Sequence, residues 1–157
     1  MHLMLAYDHS RNARIALEAV KSLFGAAASE SKTEVTLISV IEDVGTATDA
    51  TDDMFTEQYR EQRAGVEAAA AELTAAGFST RVLFAEGDAR KMILRATQER
   101  HPDLLVMARH SHKPDKSGFF ASKIDALVEE FDHMTFGSVS AFLARRVQCP
   151  LLIIPAP

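Results

Sequence analysis

The chain contains very little of several features that mark particular classes of protein. Its 157 residues include one cysteine and no tryptophan, so an internal disulfide and a cysteine-based metal cluster are both excluded. No apolar run approaches the ~20 residues that a membrane-spanning helix needs. Residues 1–8 lack the basic lead and small-residue cleavage site of a signal peptide. We therefore expect a cytoplasmic protein that is not a membrane partner.

Positive charge is also scarce. The 17 Lys and Arg residues are outnumbered by 22 Asp and Glu residues, which gives a net charge of −5 at pH 7. No block of basic residues is present that would neutralise a row of phosphates, so nucleic acid is not an expected partner.

Five short apolar segments have the character of strands. Four of them are nearly continuous in Leu, Ile, Val and Met, which is typical of parallel strands covered by helices on both faces. The segments are Leu3–Tyr7, Val35–Ile41, Arg81–Phe84, Leu104–Ala108 and Leu151–Ile154. Because Arg81–Phe84 is the least apolar of the five, it is the candidate edge strand.

Between these segments, apolar residues recur at helical spacing and predict four helices. The stripes run over Ala13–Phe24, over Phe55–Leu73 before Gly77, over Ala89–Ala96 before Pro102, and over Val139–Val147 before Cys149-Pro150. Strands that alternate with helices in this way predict an α/β fold with right-handed crossovers. The pattern covers residues 1–157 as one domain.

Two stretches interrupt the alternation. Glu42–Asp53 is rich in acids, contains no base and is predicted to be a loop, either a solvated connection or a lid. The second stretch, His110–Phe136, is longer than a typical connection. Ser122–Asp125 resembles a capping box and is followed by apolar residues at helical spacing, so we predict an inserted helical segment at about 112–136. This insert either folds over a pocket or projects to contact protein.

In an open parallel sheet, ligands bind beyond the carboxyl ends of the strands. Asp8, which follows the first strand, is predicted to cap a helix or to accept a hydrogen bond from a ligand. Gly87-Asp88 is predicted to form a turn followed by a cap. Gly137 would allow close approach of the backbone, and Ser138 would cap a helix whose free N–H groups attract an anion.

Several of these residues, taken in order and spacing, resemble the universal stress protein family across nearly the whole chain. The matching stretches are the first strand ending in Asp8 with Ser10 soon after, Gly87-Asp88-Ala89 with Ile93 and Ala96, Pro102–Met107, and Gly137–Ser140 leading through Arg145–Pro150 into Leu151–Ile154. The resemblance implies a Rossmann-like open parallel five-stranded sheet in the order 3-2-1-4-5. Helices would cover both faces, giving an α/β/α sandwich.

The resemblance also implies a homodimer formed by antiparallel pairing of the last strands, here Leu151–Ile154. This implication agrees with the apolar character of the segment, because a bare apolar edge strand invites aggregation and pairing with its twin would cover it.

In nucleotide-binding members of the family, ATP or AMP lies along the carboxyl edge. The positions of this chain that match the nucleotide-binding residues are Asp8, Val40, Gly87, Met107, Ala108, Ser111, Gly137, Ser138 and Val139. The family's phosphate motif has a glycine, two residues, a second glycine, nine residues, and then Gly-Ser or Gly-Thr. Ala108 and Ser111 stand at the two glycine positions, Gly137-Ser138 is kept, and 25 residues (112–136) separate Ser111 from Gly137.

These departures argue against the family's usual ATP pose. Ala108 adds a methyl group where phosphate needs space, and Ser111 would be strained at a positive φ. The first hypothesis is therefore a homodimeric stress-response regulatory module with an unidentified protein partner and no catalytic residues. The alternative is an ATP- or AMP-binding member with slow ATP hydrolysis or a nucleotide switch at Asp8, Gly87 and Gly137-Ser138. A structural dimer module with a closed pocket is the third possibility.

Other chemistry has weaker support in the sequence. His110, His112 and His133 lack a fixed ligand spacing and are expected to be solvated loop residues, so we predict no metal beyond Mg²⁺ bound to a nucleotide. No Gly-x-Ser-x-Gly elbow or Walker A motif is present. Cys149, next to Pro150 and an apolar strand, is predicted to be a buried structural thiol.

Overall fold

The computed structural model describes residues 1–30, 32–41, 49–109 and 137–155. Strands and helices alternate along these residues. Their bounds are β1 (His2–Ala6), α1 (Arg11–Glu30), β2 (Glu34–Ile41), α2 (Asp49–Ala75), β3 (Ser79–Glu86), α3 (Ala89–Arg100), β4 (Leu104–Ala108), α4 (Ser138–Ala144) and β5 (Leu151–Ile154). None of the described helices is both long enough and apolar enough to cross a membrane.

The five strands form one parallel sheet in the order β3-β2-β1-β4-β5. This order confirms the expected α/β fold. β3, the least apolar strand, lies at one edge as predicted, and β5 lies at the other. The winding direction reverses after β3, because the chain returns across the sheet to place β4 beside β1.

Helices cover both faces of the sheet. Because side chains alternate along a strand, Leu3 and Leu5 of β1 face a core shared with α1 and α2, whereas Met4 faces a core shared with α3 and α4. Leu3, Met4 and Leu5 are fully buried. β1 is therefore the central strand of the sheet, with helices packed on both of its faces.

Two helix boundaries differ from the sequence-based expectation. α2 begins at Asp49, so the loop predicted over Glu42–Asp53 is wrong for residues 49–53, and residues 42–48 lie outside the described part. Acidic residue types are common both in loops and in first helical turns, so the sequence of this stretch does not distinguish the two. α4 ends at Ala144 because the N–H groups of Arg146 and Val147 share the carbonyl of Leu143, which closes the helix with a turn.

The predicted inserted helix at about 112–136 also lies outside the described residues. The loops that follow β1 and β3 are described in full. After β4 the described part ends at Arg109 and resumes at Gly137, directly before α4.

Candidate functional site

The carboxyl edge of the sheet collects most of the sequence-predicted site residues. Since all five strands run parallel, their carboxyl ends meet at one edge. Asp8 follows β1, Val40 lies near the end of β2, Gly87 follows β3, and Ala108 ends β4. The point where the winding reverses lies between β1 and β4, which is where open α/β sheets bind ligands.

The loop between β1 and α1 has a defined set of hydrogen bonds. The Oδ1 atom of Asp8 accepts from the Ser10 amide at 3.0 Å. The Oγ atom of Ser10 accepts from the Ala13 amide at 3.1 Å, so Ser10 caps α1. Of the two roles predicted for Asp8, the helix cap is therefore wrong: Asp8 forms a short side-chain turn two residues before it, with Ser10 as the cap. Its carboxylate is exposed, and Oδ2 accepts no hydrogen bond from the described residues.

The end of β2 presents a carbonyl group beside this loop. The Tyr7 amide donates to the carbonyl of Ile38 at 2.9 Å, so residue 38 bonds towards β1. Alternate residues of a parallel strand bond to the same neighbour, so the carbonyl of Val40 also points to the β1 side. β1 has ended at that level. The Val40 carbonyl accepts instead from the side-chain amide of Gln62 at 3.4 Å, and the Val40 side chain packs into the core on the α3 side.

Gly87 and Asp88 form the turn and the cap that the sequence predicts. Gly87 has φ +122°, and a Cβ atom there would meet only Met92 Cγ, at 3.9 Å. The glycine is therefore required by its backbone conformation rather than by crowding. Asp88 Oδ1 accepts from the amides of Arg90 at 2.9 Å and Lys91 at 3.4 Å, which caps α3.

The Arg90 guanidinium also holds Asp88, with nitrogen–oxygen distances of 2.6 and 3.0 Å. This pairing is the largest cause that lowers the pKa of Asp88 from 3.8 to about 2, and the two backbone N–H groups lower it further. Both carboxylate oxygens of Asp88 are therefore bonded within the protein, whereas only Oδ1 of Asp8 accepts a hydrogen bond from the described residues.

The carboxyl end of β4 contributes backbone rather than side chains. Met107 is 6% exposed and its side chain lies in the core on the α3 side, so the side chain does not reach the edge. Ala108 packs against the opposite core. The carbonyl of Arg109 accepts from Asn12 at 3.4 Å, which ties this end of β4 to the first turn of α1. Ser111 lies outside the described residues.

At the start of α4, Gly137 is the N-cap, with φ −51° and ψ 155° and no side-chain capping bond. The prediction that Ser138 caps this helix is wrong, because Ser138 is already its first residue. Ser140 Oγ instead donates to the carbonyl of Gly137 at 2.9 Å. Val139 is half-buried against the core on the α3 side. α4 has 7 residues, so its dipole is modest.

Three residues near this edge were not predicted from the sequence. They are His9, Gln62 and Gly65, and two of them lie on α2. Two signals in the sequence could have indicated them. Gly65 interrupts a helical pattern, and such a glycine is often required by close packing. His9 lies between Asp8 and Ser10, two residue types that commonly cap helices.

Other candidate chemistry is placed elsewhere or outside the described part. Among the described residues, no group of three or more His, Cys, Asp and Glu side chains is arranged to hold a metal ion. His110, His112 and His133 lie outside them. Cys149 is half-buried, and burial raises the pKa of its thiol, so this cysteine is not activated as a nucleophile.

Cys149 lines a cleft of about 370 Å³ at the amino ends of β4 and β5. Its lining includes Asp103 and Pro150, the residues that precede these strands. This cleft is at the opposite edge of the sheet from Asp8, and it is therefore not part of the candidate site.

Comparisons with known proteins agree with the fold. The family model of the "Universal stress protein family" matches residues 1–155. UspA of Lactobacillus plantarum is 16% identical, with a TM-score of 0.66 over 98% of this chain and 97% of that one. A family protein from Arabidopsis thaliana with AMP bound is 16% identical, with a TM-score of 0.69 over 100% and 92% of the two chains.

A universal stress protein solved in complex with cAMP is also similar to this chain. It is 18% identical, with a TM-score of 0.61 over 98% of this chain and 96% of that one. Among curated protein sequences, none matches this chain.

Proposed function

The chain belongs to the universal stress protein family, and from that premise we propose that it is a regulatory binding module for an adenine nucleotide with one phosphate, such as AMP. One observation carries this proposal: the exposed Asp8 carboxylate and the Val40 carbonyl lie on the same sheet edge beside the end of β1. The structures of relatives with AMP and with cAMP support the same ligand class.

The nucleoside half of such a site matches the groups on this edge. Asp8 Oδ2 would accept from a ribose hydroxyl, since Oδ1 is already bonded to Ser10. The Val40 carbonyl would accept from the amino group of adenine. Gly87 leaves the edge open on the β3 side, because a Cβ atom built there would meet only Met92 Cγ, at 3.9 Å. These groups bind and orient a ligand, and we assign none of them a catalytic role.

The phosphate half favours a short phosphate chain. Ala108 stands where the family motif has a glycine, so the end of β4 lacks the backbone freedom that a glycine gives a phosphate-binding loop. Asp8 and Glu86 place carboxylates along the edge, and the carboxylate of Asp88 beside them is paired with Arg90. Without Mg²⁺, ATP carries roughly two more negative charges than AMP, so these carboxylates repel it more strongly. The short α4 helix offers only a small dipole to offset this repulsion. Any Mg²⁺ would be bound by the nucleotide.

We further propose that the molecule is a homodimer paired through β5. This strand is an edge strand, all four of its side chains are apolar and half-buried, and it bonds to β4 on one side only within the described structure. A second copy paired antiparallel would cover the open side. In a reducing cytoplasm, nucleotide bound at the carboxyl ends of the strands would then regulate contact between this dimer and a protein partner in a stress response.

The nucleotide proposal is tested by Asp8→Asn. The matched control is Asp103→Asn, which changes a carboxylate at the amino ends of the strands, away from the proposed site. AMP binding is measured by isothermal titration calorimetry. We expect Asp8→Asn to weaken binding by about 10- to 100-fold, because a hydrogen bond to a charged group contributes ~1.5–3 kcal/mol. Asp103→Asn should leave the affinity unchanged. Equal affinities of both variants, or no AMP binding by the unmodified protein, would contradict the proposal.

A further inference from the structure

Gly65 lies inside α2, where a glycine is unfavourable for a helix. Its position is explained by the imidazole of His9. A Cβ atom built on Gly65 would overlap three atoms of that ring, including Cγ at its base. Gly25, the glycine inside α1, has no neighbouring atom within 4 Å of the same point. Gly65 therefore forms a notch in α2 that seats the His9 ring, whereas Gly25 has no such neighbour.

His9 has an unusual backbone conformation that fits this role. Its φ is 65°, in the left-handed region that non-glycine residues rarely adopt. The ring lies 6.4 Å from the ring of the buried Tyr7, at an interplanar angle of 56°. His9 also stands between Asp8 and Ser10, which are joined by a hydrogen bond. The seated ring thus holds the turn that presents the Asp8 carboxylate.

Gln62 lies one turn before Gly65 on the same face of α2. Its side-chain amide donates to the buried Ser39 hydroxyl at 2.9 Å and to the Val40 carbonyl at 3.4 Å. A single turn of α2 therefore contacts both segments that the nucleoside site would use. Gly65 contacts the loop after β1, and Gln62 contacts the end of β2.

We propose that the Gln62–Gly65 turn of α2 is a positioning clamp that fixes the Asp8 loop against the end of β2 before the nucleotide binds. This inference rests on the proposed function for its ligand, but the clamp itself exists without one. Neither residue is proposed to touch the nucleotide phosphate. Gln62 positions the Val40 carbonyl, and Gly65 positions Asp8 through His9.

The clamp is tested first without ligand, by thermal unfolding of Gly65→Ala, Gly25→Ala, His9→Ala and the double variant His9→Ala/Gly65→Ala. Gly25→Ala should raise Tm by about 2–4 °C, because alanine is the better helix former. Gly65→Ala should not raise Tm, since the new methyl group displaces the ring. In the His9→Ala background, the same change should raise Tm as Gly25→Ala does. A rise of equal size at Gly65 with His9 present would overturn the clamp.

Hydrogen exchange of the Ser10 and Ala13 amides gives a second readout without ligand. Both amides are bonded within the loop that the ring holds. We expect Gly65→Ala to accelerate their exchange about tenfold under conditions in which Gly25→Ala has no effect. Unchanged exchange would show that the ring does not hold the loop.

AMP calorimetry then separates positioning from stability. We expect Gly65→Ala and His9→Ala each to weaken AMP binding about tenfold. The double variant should have a higher Tm than Gly65→Ala but the same weakened affinity for AMP. An affinity that rises together with Tm in the double variant would indicate a purely structural role and would overturn the proposal. If the unmodified protein binds no AMP, the proposed function fails, and the unfolding and exchange results still decide whether the clamp exists.

Discussion

Two aspartates at the same sheet edge have different roles because their neighbours differ. Asp88 is bonded to two backbone amides and to the Arg90 guanidinium, whereas Asp8 is bonded at one oxygen only. Arg90 also lies 5.9 Å from the centre of the Phe142 ring, which joins the start of α3 to α4. Asp88 therefore stabilises this part of the fold, and Asp8 is the carboxylate that the proposed nucleotide site uses.

The charge of Asp88 should appear in the pH dependence of stability. Its pKa is about 2 in the folded protein, below the ordinary 3.8, so its charge contributes stability above about pH 4 and loses it as the pH falls towards 2. We predict that Asp88→Asn, which keeps a capping oxygen, lowers Tm modestly at pH 6 and that the deficit disappears between pH 4 and pH 2. Thermal unfolding across that range measures the effect.

Glu99→Gln is the control for this prediction, because it removes a charge from an exposed i,i+4 pair with Arg95. Such a pair contributes little to stability, so Tm should change little at any pH. A deficit of Asp88→Asn that stays constant down to pH 2 would show that the charge is not the cause.

The same residues show what local sequence could and could not predict. The turn and cap at Gly87-Asp88 were predicted because only one suitable residue precedes α3. At α1, Asp8 and Ser10 are both good capping residues, and the choice depends on where the backbone leaves the strand, at His9. At α4, Ser138 is already helical, so Gly137 takes the N-cap position. Contacts between elements, such as His9 with Gly65, follow from tertiary packing that local patterns do not contain.

At the scale of elements, β5 is an edge strand that bonds to β4 on one side within the part of the chain that the structure describes. The carbonyl of Pro150 accepts from the Leu105 amide of β4 at 2.9 Å, and that of Ile154 accepts at 2.8 Å from Arg109, which directly follows β4. Because alternate residues bond to the same neighbour, the backbone of Leu151 and Ile153 points to the open side. Strand bounds here agreed with the sequence, since a short apolar run before the C-terminal residues has no competing pattern. The boundary of α2 did not agree, because acidic residues are equally typical of loops and of first helical turns.

We predict that Ile153→Pro separates the proposed dimer without unfolding the protein. Proline removes the outward N–H group of residue 153 and leaves the bonds to β4 in place, which edge strands tolerate. Sedimentation velocity should show a monomer for Ile153→Pro and a dimer for Ile153→Val, which keeps the N–H group. Circular dichroism checks that the fold is retained. A dimer that persists in a folded Ile153→Pro variant would place the interface elsewhere.

At the scale of the whole molecule, the sheet brings together groups that are far apart in the chain. Asp8, Val40, Gly87 and Ala108 meet at one edge because every strand is parallel and the winding reverses between β1 and β4. The sequence could predict this arrangement, since four nearly continuous apolar strands alternating with helices leave few other topologies. Composition and periodicity do not predict the contacts of α2 with this edge, which are those of Gln62 with the Val40 carbonyl and of Gly65 with the His9 ring.

The central proposal is that the carboxyl edge of the sheet binds the nucleoside and one phosphate of an adenine nucleotide but does not accommodate a triphosphate. The most direct test is calorimetric titration of the unmodified protein with AMP and with ATP in the same Mg²⁺-free buffer. We predict that AMP binds at least about tenfold more tightly, a difference of ~1.4 kcal/mol. ATP binding as tight as AMP, or tighter, would contradict the account.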